Sequence, residues 1–500
     1  MFFKVAAKQK NCLTVFLVLI AFFFASRLTN LTQWPIFVDE AIYLRWAQIA
    51  QNDANWRFIS LVDGKQPLFV WLTMVMMEAV ADPLVAGRLV SVLTGLASML
   101  IIGILGWVLF RSRRLAFLAS LLYLVFPFAL VYDRMALMDG LVGTWTLLSL
   151  LLAVLLVKYR RLDVALLLGA ALGGGILTKS SGFLNIYFLP LTLLIFDWQS
   201  QRRWRRLVRW AGLALLAVII SQVIYSVLRL SPFFHIIEQK NAFFVHPLSE
   251  WLEHPFDFLR SNFRGLLNWL ISYLTWPVFA LAVGSFGLDK KQFWPKALLF
   301  LWFLAPFSAL TLFGKTLYPR FIFFMSLPLL LLAAWSLETI TRRLKNNRLS
   351  ILIGLLFFIL PLRLDFQVLF QPEKAAIARS DQDQYIRSWP AGYGVKEIVA
   401  WAKKEAENKK IFIATEGTFG LMPASLELYL WDNPNVEIKG FFPVNEIPAA
   451  VLDKAAKIPT FFVFNETVAV PGSWPLKLVA EYPRPDPRFS MRLYQVRADY

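Results

Sequence analysis

Up to about residue 364 the chain alternates between long apolar runs and shorter charged segments, and then the alternation stops. The apolar runs fall at roughly 11–30, 84–110, 115–131, 140–157, 164–178, 183–197, 210–230, 266–286, 297–313, 321–338 and 349–364. A helix needs about 20 mostly apolar residues to cross a bilayer, so the pattern predicts a polytopic α-helical membrane protein with about eleven transmembrane helices. The intervening segments are of two kinds. Short basic ones carry Lys4/Lys8/Lys10, Arg111/Arg113/Arg114, Lys158/Arg160/Arg161, Arg202/Arg203/Arg205/Arg206/Arg209, Lys290/Lys291/Lys296 and Arg342/Arg343/Lys345/Arg348. Longer, mixed-charge ones cover 31–83, 132–139, 179–182, 231–265, 314–320 and everything after about 365. Cytoplasmic loops are enriched in Lys and Arg. One assignment puts every basic cluster on that face, together with the N-terminus, and leaves the C-terminal region outside a plasma membrane.

Two outer segments are too long for turns. Residues 31–83 and 231–265 hold helical patterns such as Ile42/Trp46/Ile49 and Phe256/Leu259/Phe263, of the kind that lie in a membrane interface with the apolar face down. They are expected to roof a cavity above the spanning bundle. Beyond the last apolar run the period changes. Residues 395–408 read as a charged amphipathic helix, and a second helix is expected near 422–430. Strands are expected at 411–414, 435–441, 459–464, 476–482 and 489–496. That alternation predicts an extracytoplasmic α/β domain over 366–500, with its own core, attached to a membrane domain over 1–365. No catalytic set is evident in it, so a role in acceptor choice is expected.

Composition fits the same class. Hydrophobic residues make up 58% of the 500 and charged residues only 17%, with a net charge of +18. Nucleic-acid binders gather basic residues on one face; here they sit in interhelical clusters, which excludes that class. The single cysteine, Cys12, precludes an intrachain disulfide. No cleavable leader is evident before the first run.

The chemistry concentrates at the outer membrane boundary. Asp39, Glu40, Lys65, Arg88, Asp133, Arg134, Asp139, Lys179, Lys315 and Arg320 come from five outer segments. Ionisable groups at membrane depth are costly and tend to line cavities or pair. The cations exceed what Asp39 and Asp139 need, which describes a pocket for an anionic ligand at the lipid boundary. Other features read as structural. Gly173–Gly175 lack the Gly-Lys of a phosphate loop and suit close helix packing. Asp381-Gln382-Asp383 has the metal-binding D-x-D form but ends no strand. His235, His246 and His254 lack zinc-site spacing, which leaves a metal or substrate contact open for them individually.

The ordered set Asp39-Glu40-Ala41 with Tyr43, Lys65-Gln66-Pro67-Leu68 with Trp71, Gly87-Arg88-Leu89, Arg134-Met135-Ala136 with Asp139, Leu177-Thr178-Lys179 and Leu317-Tyr318-Pro319-Arg320 resembles the membrane glycosyltransferases of the type-C fold. These form the superfamily of protein O-mannosyltransferases and lipid A aminoarabinose transferases. One departure is Gly64, where the family often has a glutamate that helps hold a divalent metal; Asp63 stands beside it.

The resemblance implies inverting transfer of a sugar from a polyprenyl-phosphate donor to a hydroxyl of a lipid, glycan or protein acceptor outside the membrane. Asp39 would be the base, with Glu40 supporting it. Lys65, Arg134, Lys179, Lys315 and Arg320 would hold the phosphate, and Tyr43, Arg88, Asp139 and Tyr318 would line the substrate pocket. No cofactor is required, a divalent metal being the one open possibility. A multi-span transporter or flippase would also bury charge, but transporters carry repeated halves with sites near the bilayer midplane, and no repeat is visible. A non-catalytic scaffold with a polymer-binding outer domain is the other alternative.

Overall fold

A computed structural model describes residues 2–254, 256–344 and 346–497. Lys345 lies outside the described residues, as do the side chains of Lys4, Lys8, Lys10 and Cys12.

Every predicted apolar run is helical. Among the described residues six helices are long and apolar enough to cross a membrane unaided: Pro83–Phe110, Met138–Tyr159, Arg203–Leu230, Phe293–Phe313, Pro319–Arg343 and Arg348–Phe370. Leu259–Leu274 and Trp276–Leu288, bent by 107°, make a seventh crossing if counted as one span. The first run lies in the helix Phe2–Leu28, of which only Phe16–Leu28 enters this comparison, and the other runs give shorter helices, so among the described residues length and composition do not by themselves reach the expected eleven. The breaks have local causes. Pro127 starts a new short helix, Pro127–Tyr132, just after Arg113–Leu124. Lys179 is extended (φ −161°, ψ 147°) and ends Leu162–Thr178. A further apolar helix, Leu68–Ala79, lies in the first outer segment. The glycines at 173 and 174 serve packing. A Cβ at Gly173 would sit 2.6 Å from Ile224 Cδ1, and one at Gly174 2.6 Å from Trp145.

The two kinds of segment meet at opposite ends of the bundle. At one end Arg114 Nη2 donates to Thr341 Oγ1 (2.9 Å), Arg342 reaches Ser112 Oγ, Lys158 reaches the Val108 carbonyl, and Arg343 reaches that of Leu288. At the other, Lys179 pairs with Asp139, Arg320 with Asp39 and Lys240 with Asp63. The chain is thus a multi-pass membrane protein with a basic and a mixed-charge end. On the positive-inside rule, Ser200→Cys and Ser473→Cys in a Cys12→Ser background should label from opposite faces of intact cells. Labelling from one face would refute that topology.

The C-terminal region is a five-stranded sheet in the order β2-β1-β3-β5-β4, with β1 Ile411–Glu416, β2 Val436–Phe441, β3 Thr460–Phe464, β4 Leu476–Pro483 and β5 Ser490–Val496. β1 runs parallel to β2 and β3, while β5 is antiparallel to both β3 and β4. The central strands β1 and β3 are buried on both faces, as expected where layers cover a parallel pair. One face, with Phe412, Ala414, Phe462 and Phe464, has a core of its own. The other differs from a free-standing domain. Ile411, Ile413, Phe461 and Val463, with the helices Val395–Glu405 and Leu421–Leu430, belong to the same continuous core as the membrane bundle.

That continuity fixes the first outer segment. Gly392 N–H donates to Ile36 O (2.8 Å) and Val38 N–H to Pro390 O (3.1 Å). The helix Val38–Asn52 then packs on Leu421–Leu430, with Arg45 on Glu427 (3.2 Å) and Gln48 Nε2 on Leu428 O (3.1 Å). The region after the last span therefore holds the start of the helix that carries Asp39.

Candidate active site

Asp39 and Glu40 are neighbours in the first turn of a helix, so their side chains leave its axis about 100° apart. Asp39 is only partly buried, and its Oδ2 accepts from Arg320 Nη1 at 2.7 Å. Glu40 turns inward and is fully buried. It accepts from Arg88 Nε (2.8 Å) and Nη2 (2.7 Å), and from the backbone N–H groups of Phe37 (3.0 Å) and Ala136 (2.7 Å). Four donors leave it no capacity for substrate.

Lys65 follows a short 3-10 helix, Ile59–Asp63, that ends at Gly64 in the left-handed region (φ 65°). Its ammonium lies over the Phe244 ring, 5.3 Å from the centroid. Among the described residues no carboxylate pairs with it. The extended backbone at Lys179 carries its side chain to Asp139 Oδ1 (2.6 Å) and over Phe321 (4.7 Å). Arg320 starts the span Pro319–Arg343 with its guanidinium over Tyr318 (5.0 Å) and Phe37 (5.7 Å).

Lys65, Lys179 and Arg320 line one cavity of about 460 Å³, whose lining does not include Asp39; Asp39 reaches it through its ion pair with Arg320. The cavity's polar lining includes Lys65, Asp139, Lys179, Lys240, Arg320 and Tyr43, and its apolar lining includes Pro306, Ala309, Leu310, Phe313, Phe324 and Met325 from the later helices. Burial pushes the Asp39 carboxyl up, but Arg320, Lys65 and Lys179 outweigh it and leave it below its ordinary value. Burial has the upper hand at Lys65, whose ammonium is brought down to about 8 despite the pull of Asp39. The site thus offers an ionised carboxylate, an unpaired cation of lowered basicity, and a greasy channel beside both.

The structure places several expected residues elsewhere. Arg134, expected on the donor phosphate, donates instead to the carbonyls of Ser26 (3.0 Å), Thr29 (2.7 Å) and Asn30 (2.8 Å). Its motif supplies a helix-end clamp because the first helix ends there with free carbonyls. Arg88, expected in the substrate pocket, is 1% exposed and spent on Glu40. Lys315 is exposed and joins the site through its backbone, with its N–H on Phe244 O at 2.9 Å. Tyr318 supports Arg320 by its ring. The motif residue Gln66 lines the cavity and donates to Ser180 Oγ at 2.7 Å. Reasoning from sequence missed Lys240 and Asn241, which line the cavity from the helix Ile236–Phe244. Their one signal was a lysine among aromatics in the second outer segment.

A divalent metal beside Lys65 does not fit these residues. Lys240 Nζ already holds Asp63 at 2.6 Å. A Cβ at Gly64 would lie 2.6 Å from Lys240 Cβ and 2.7 Å from the Ile236 carbonyl oxygen, so no liganding side chain has room there. Among the described residues no group of three His, Cys, Asp or Glu could hold a metal ion. The histidines are occupied separately: His246 stacks on Phe258 at 4.1 Å, His254 lies 3.6 Å from Asp257, and His235 meets the Pro232 carbonyl. The D-x-D pair also splits. Asp381 is buried and accepts from Tyr132 (2.7 Å) and Tyr273, its carboxyl pushed up by burial to about 7, while Asp383 faces out toward Arg379 and Arg387.

Superposition on solved structures shows what scaffold this is. The chain matches ArnT from Cupriavidus metallidurans over 98% of its own length and 99% of that protein in the apo state, with TM-score 0.58 and 16% identity. Against the same protein bound to undecaprenyl phosphate, coverage is 98% of both chains, with TM-score 0.61 and 15% identity. The chain therefore shares its fold with that membrane protein. Residues 64–225 match the family described as dolichyl-phosphate-mannose-protein mannosyltransferase. An undecaprenyl phosphate-alpha-4-amino-4-deoxy-L-arabinose arabinosyl transferase of Pseudomonas fluorescens is 28% identical over 371 residues, 69% of this chain and 60% of that one. A Pseudomonas aeruginosa enzyme of the same name is 29% identical over 349 residues, 65% of this chain and 59% of its own. The chain therefore matches about 60% of the length of these relatives.

Proposed function

We propose that this protein transfers a sugar from a polyprenyl-phosphate donor to an acceptor hydroxyl on the outer face of the plasma membrane, with inversion and with Asp39 as base. The observation that carries the reading is the cavity itself, whose lining joins an ammonium with no ion pair among the described residues and a guanidinium to a set of apolar side chains. A polyprenyl phosphate likewise joins a charged group to an apolar chain. The arabinosyl transferases to which the chain is similar are named for such a lipid carrying an aminopentose, and the similar ArnT is bound to undecaprenyl phosphate, so an aminopentose donor is the first to test.

In the reaction, the acceptor oxygen attacks the anomeric carbon as the bond to the phosphate oxygen breaks. The acceptor's proton passes to Asp39, which is ionised at neutral pH. The phosphate leaves as an anion, so no second carboxylate is needed to protonate it; glycosidases, with poorer leaving groups, use a pair. Lys65 and Arg320 stabilise the charge that develops there. Arg320 has five N–H donors and spends one on Asp39, so it can hold base and phosphate together. Single displacement from the face opposite the phosphate gives inversion.

Lys65 provides the test. Its ammonium titrates at about 8, so it is charged below that pH and neutral above it. Donor affinity should be full near neutrality and fall as pH rises through about 8, with Lys65→Arg moving the fall upward because arginine stays charged. Hydrogen bonds to charged groups contribute about 1.5–3 kcal/mol, so Lys65→Ala should weaken donor binding by roughly 10–100-fold. The measurement is binding and transfer of a polyprenyl-phosphate aminopentose by the purified protein across pH. A flat wild-type profile, with Lys65→Ala binding normally, would remove Lys65 from the phosphate site.

A further inference from the structure

A second cavity, of about 730 Å³, opens at the basic end of the bundle, away from the site described above. It lies between the first helix, Phe2–Leu28, and Arg113–Leu124, Pro319–Arg343 and Arg348–Phe370. Its polar side chains all sit at one end. Thr14 begins its wall on the first helix, Arg114 on the second, Thr341 ends it on the third and Ser350 begins it on the fourth. Away from them the walls are apolar, ending at Phe22, Leu124 and Leu362. From Ser350 to Leu362 a helix rises about 18 Å at 1.5 Å per residue, close to half of a hydrocarbon core of about 30 Å.

We propose that this groove binds one bilayer phospholipid with an anionic headgroup, its phosphate on Arg114 and an acyl chain along the apolar walls. Charge complementarity selects that occupant. Arg114 is exposed and donates through Nη2 to Thr341 Oγ1, which orients the guanidinium and leaves its other nitrogens free for a phosphate. Arg111, Arg113 and Arg348 make no ion pair among the described residues, and the acidic neighbour Glu338 is taken by Arg342 (2.6 Å) and Ser112 (2.5 Å). Arg114, the one charged residue in the groove's lining among the described residues, therefore makes no ion pair there, and an anionic headgroup neutralises it where a zwitterionic one does so only in part. Basic pockets between spanning helices on the cytoplasmic side are suited to such headgroups. The apolar wall is open: a Cβ at Gly354 meets nothing within 4 Å.

The test is native mass spectrometry of the full-length protein exchanged into detergent with palmitoyl-oleoyl phosphatidylglycerol or the matching phosphatidylcholine. Wild type should retain one phosphatidylglycerol in preference to phosphatidylcholine. Arg114→Ala should reduce that retention about fivefold, in line with the contribution of one basic residue at a lipid surface. Gly354→Leu fills the groove from an unobstructed position and should remove the bound lipid without touching the charge. Equal retention of both lipids, or retention unchanged in both variants, overturns the proposal. A dimer in wild type that Gly354→Leu dissociates overturns it as well, because a second copy then covers the groove.

Discussion

Asp39→Asn is expected to abolish sugar transfer while leaving donor binding intact or tighter. Asparagine keeps the size of the side chain and can still accept from Arg320, but it cannot take a proton near neutral pH. General-base catalysis contributes about 10²–10⁴-fold, so the loss in turnover should be at least that large. Binding should move the other way. Asp39 is the carboxylate that neutralises Arg320, at 2.7 Å, and removing its charge leaves the guanidinium free for the phosphate. A variant that binds donor at least as well and turns over poorly has lost an interaction made in the transition state. Lys65→Ala should show the opposite pattern, losing affinity first. The check is single-turnover transfer alongside equilibrium donor binding for both variants. Near-normal transfer by Asp39→Asn would move the base elsewhere, with Asp139, a carboxylate that lines the cavity itself, the next to test.

Spanning helices and core strands obey simple composition rules, so both were legible from the chain alone. The strand expected at 459–464 is observed at Thr460–Phe464, and that at 489–496 at Ser490–Val496, because the first is a short apolar run and the second interleaves Met491, Leu493, Tyr494 and Val496 with polar residues. What the pattern could not give is partnership. Nothing in Arg134-Met135-Ala136 distinguishes an arginine aimed at a phosphate from one aimed at three carbonyls of the first helix. Lys240 escaped notice because its site neighbours Asp63 and Gly64 lie far from it in sequence. The same limit applies to the C-terminal sheet. Its strands are visible locally, but that one face shares a core with the bundle depends on contacts between Leu421–Leu430 and the helix carrying Asp39.

The acidic pair itself shows how adjacent residues divide structural and chemical work, and Glu40→Gln is the experiment that separates them. Glu40 and Arg88 are 0% and 1% exposed, with their closest atoms 2.7 Å apart. Removing one member of a buried pair strands the other charge and costs about 3–5 kcal/mol, which is a large share of the total stability of about 5–15 kcal/mol typical of folded proteins. Glu40→Gln should therefore lower the melting temperature steeply, and whatever protein stays folded should still transfer sugar. Arg88→Met alone should destabilise similarly, since Glu40 then lies buried without its cation. Combining the two should recover part of the loss, because no charge is left unpaired. Recovery should be incomplete, as Arg88 also caps the carbonyls of Leu31 (2.7 Å), Trp34 (3.1 Å) and Pro35 (3.2 Å). Thermal unfolding in detergent, read beside turnover per folded molecule, distinguishes the roles. Wild-type melting with turnover as low as that of Asp39→Asn would make Glu40 part of the chemistry and leave the buried pair without the stabilising role its geometry gives it.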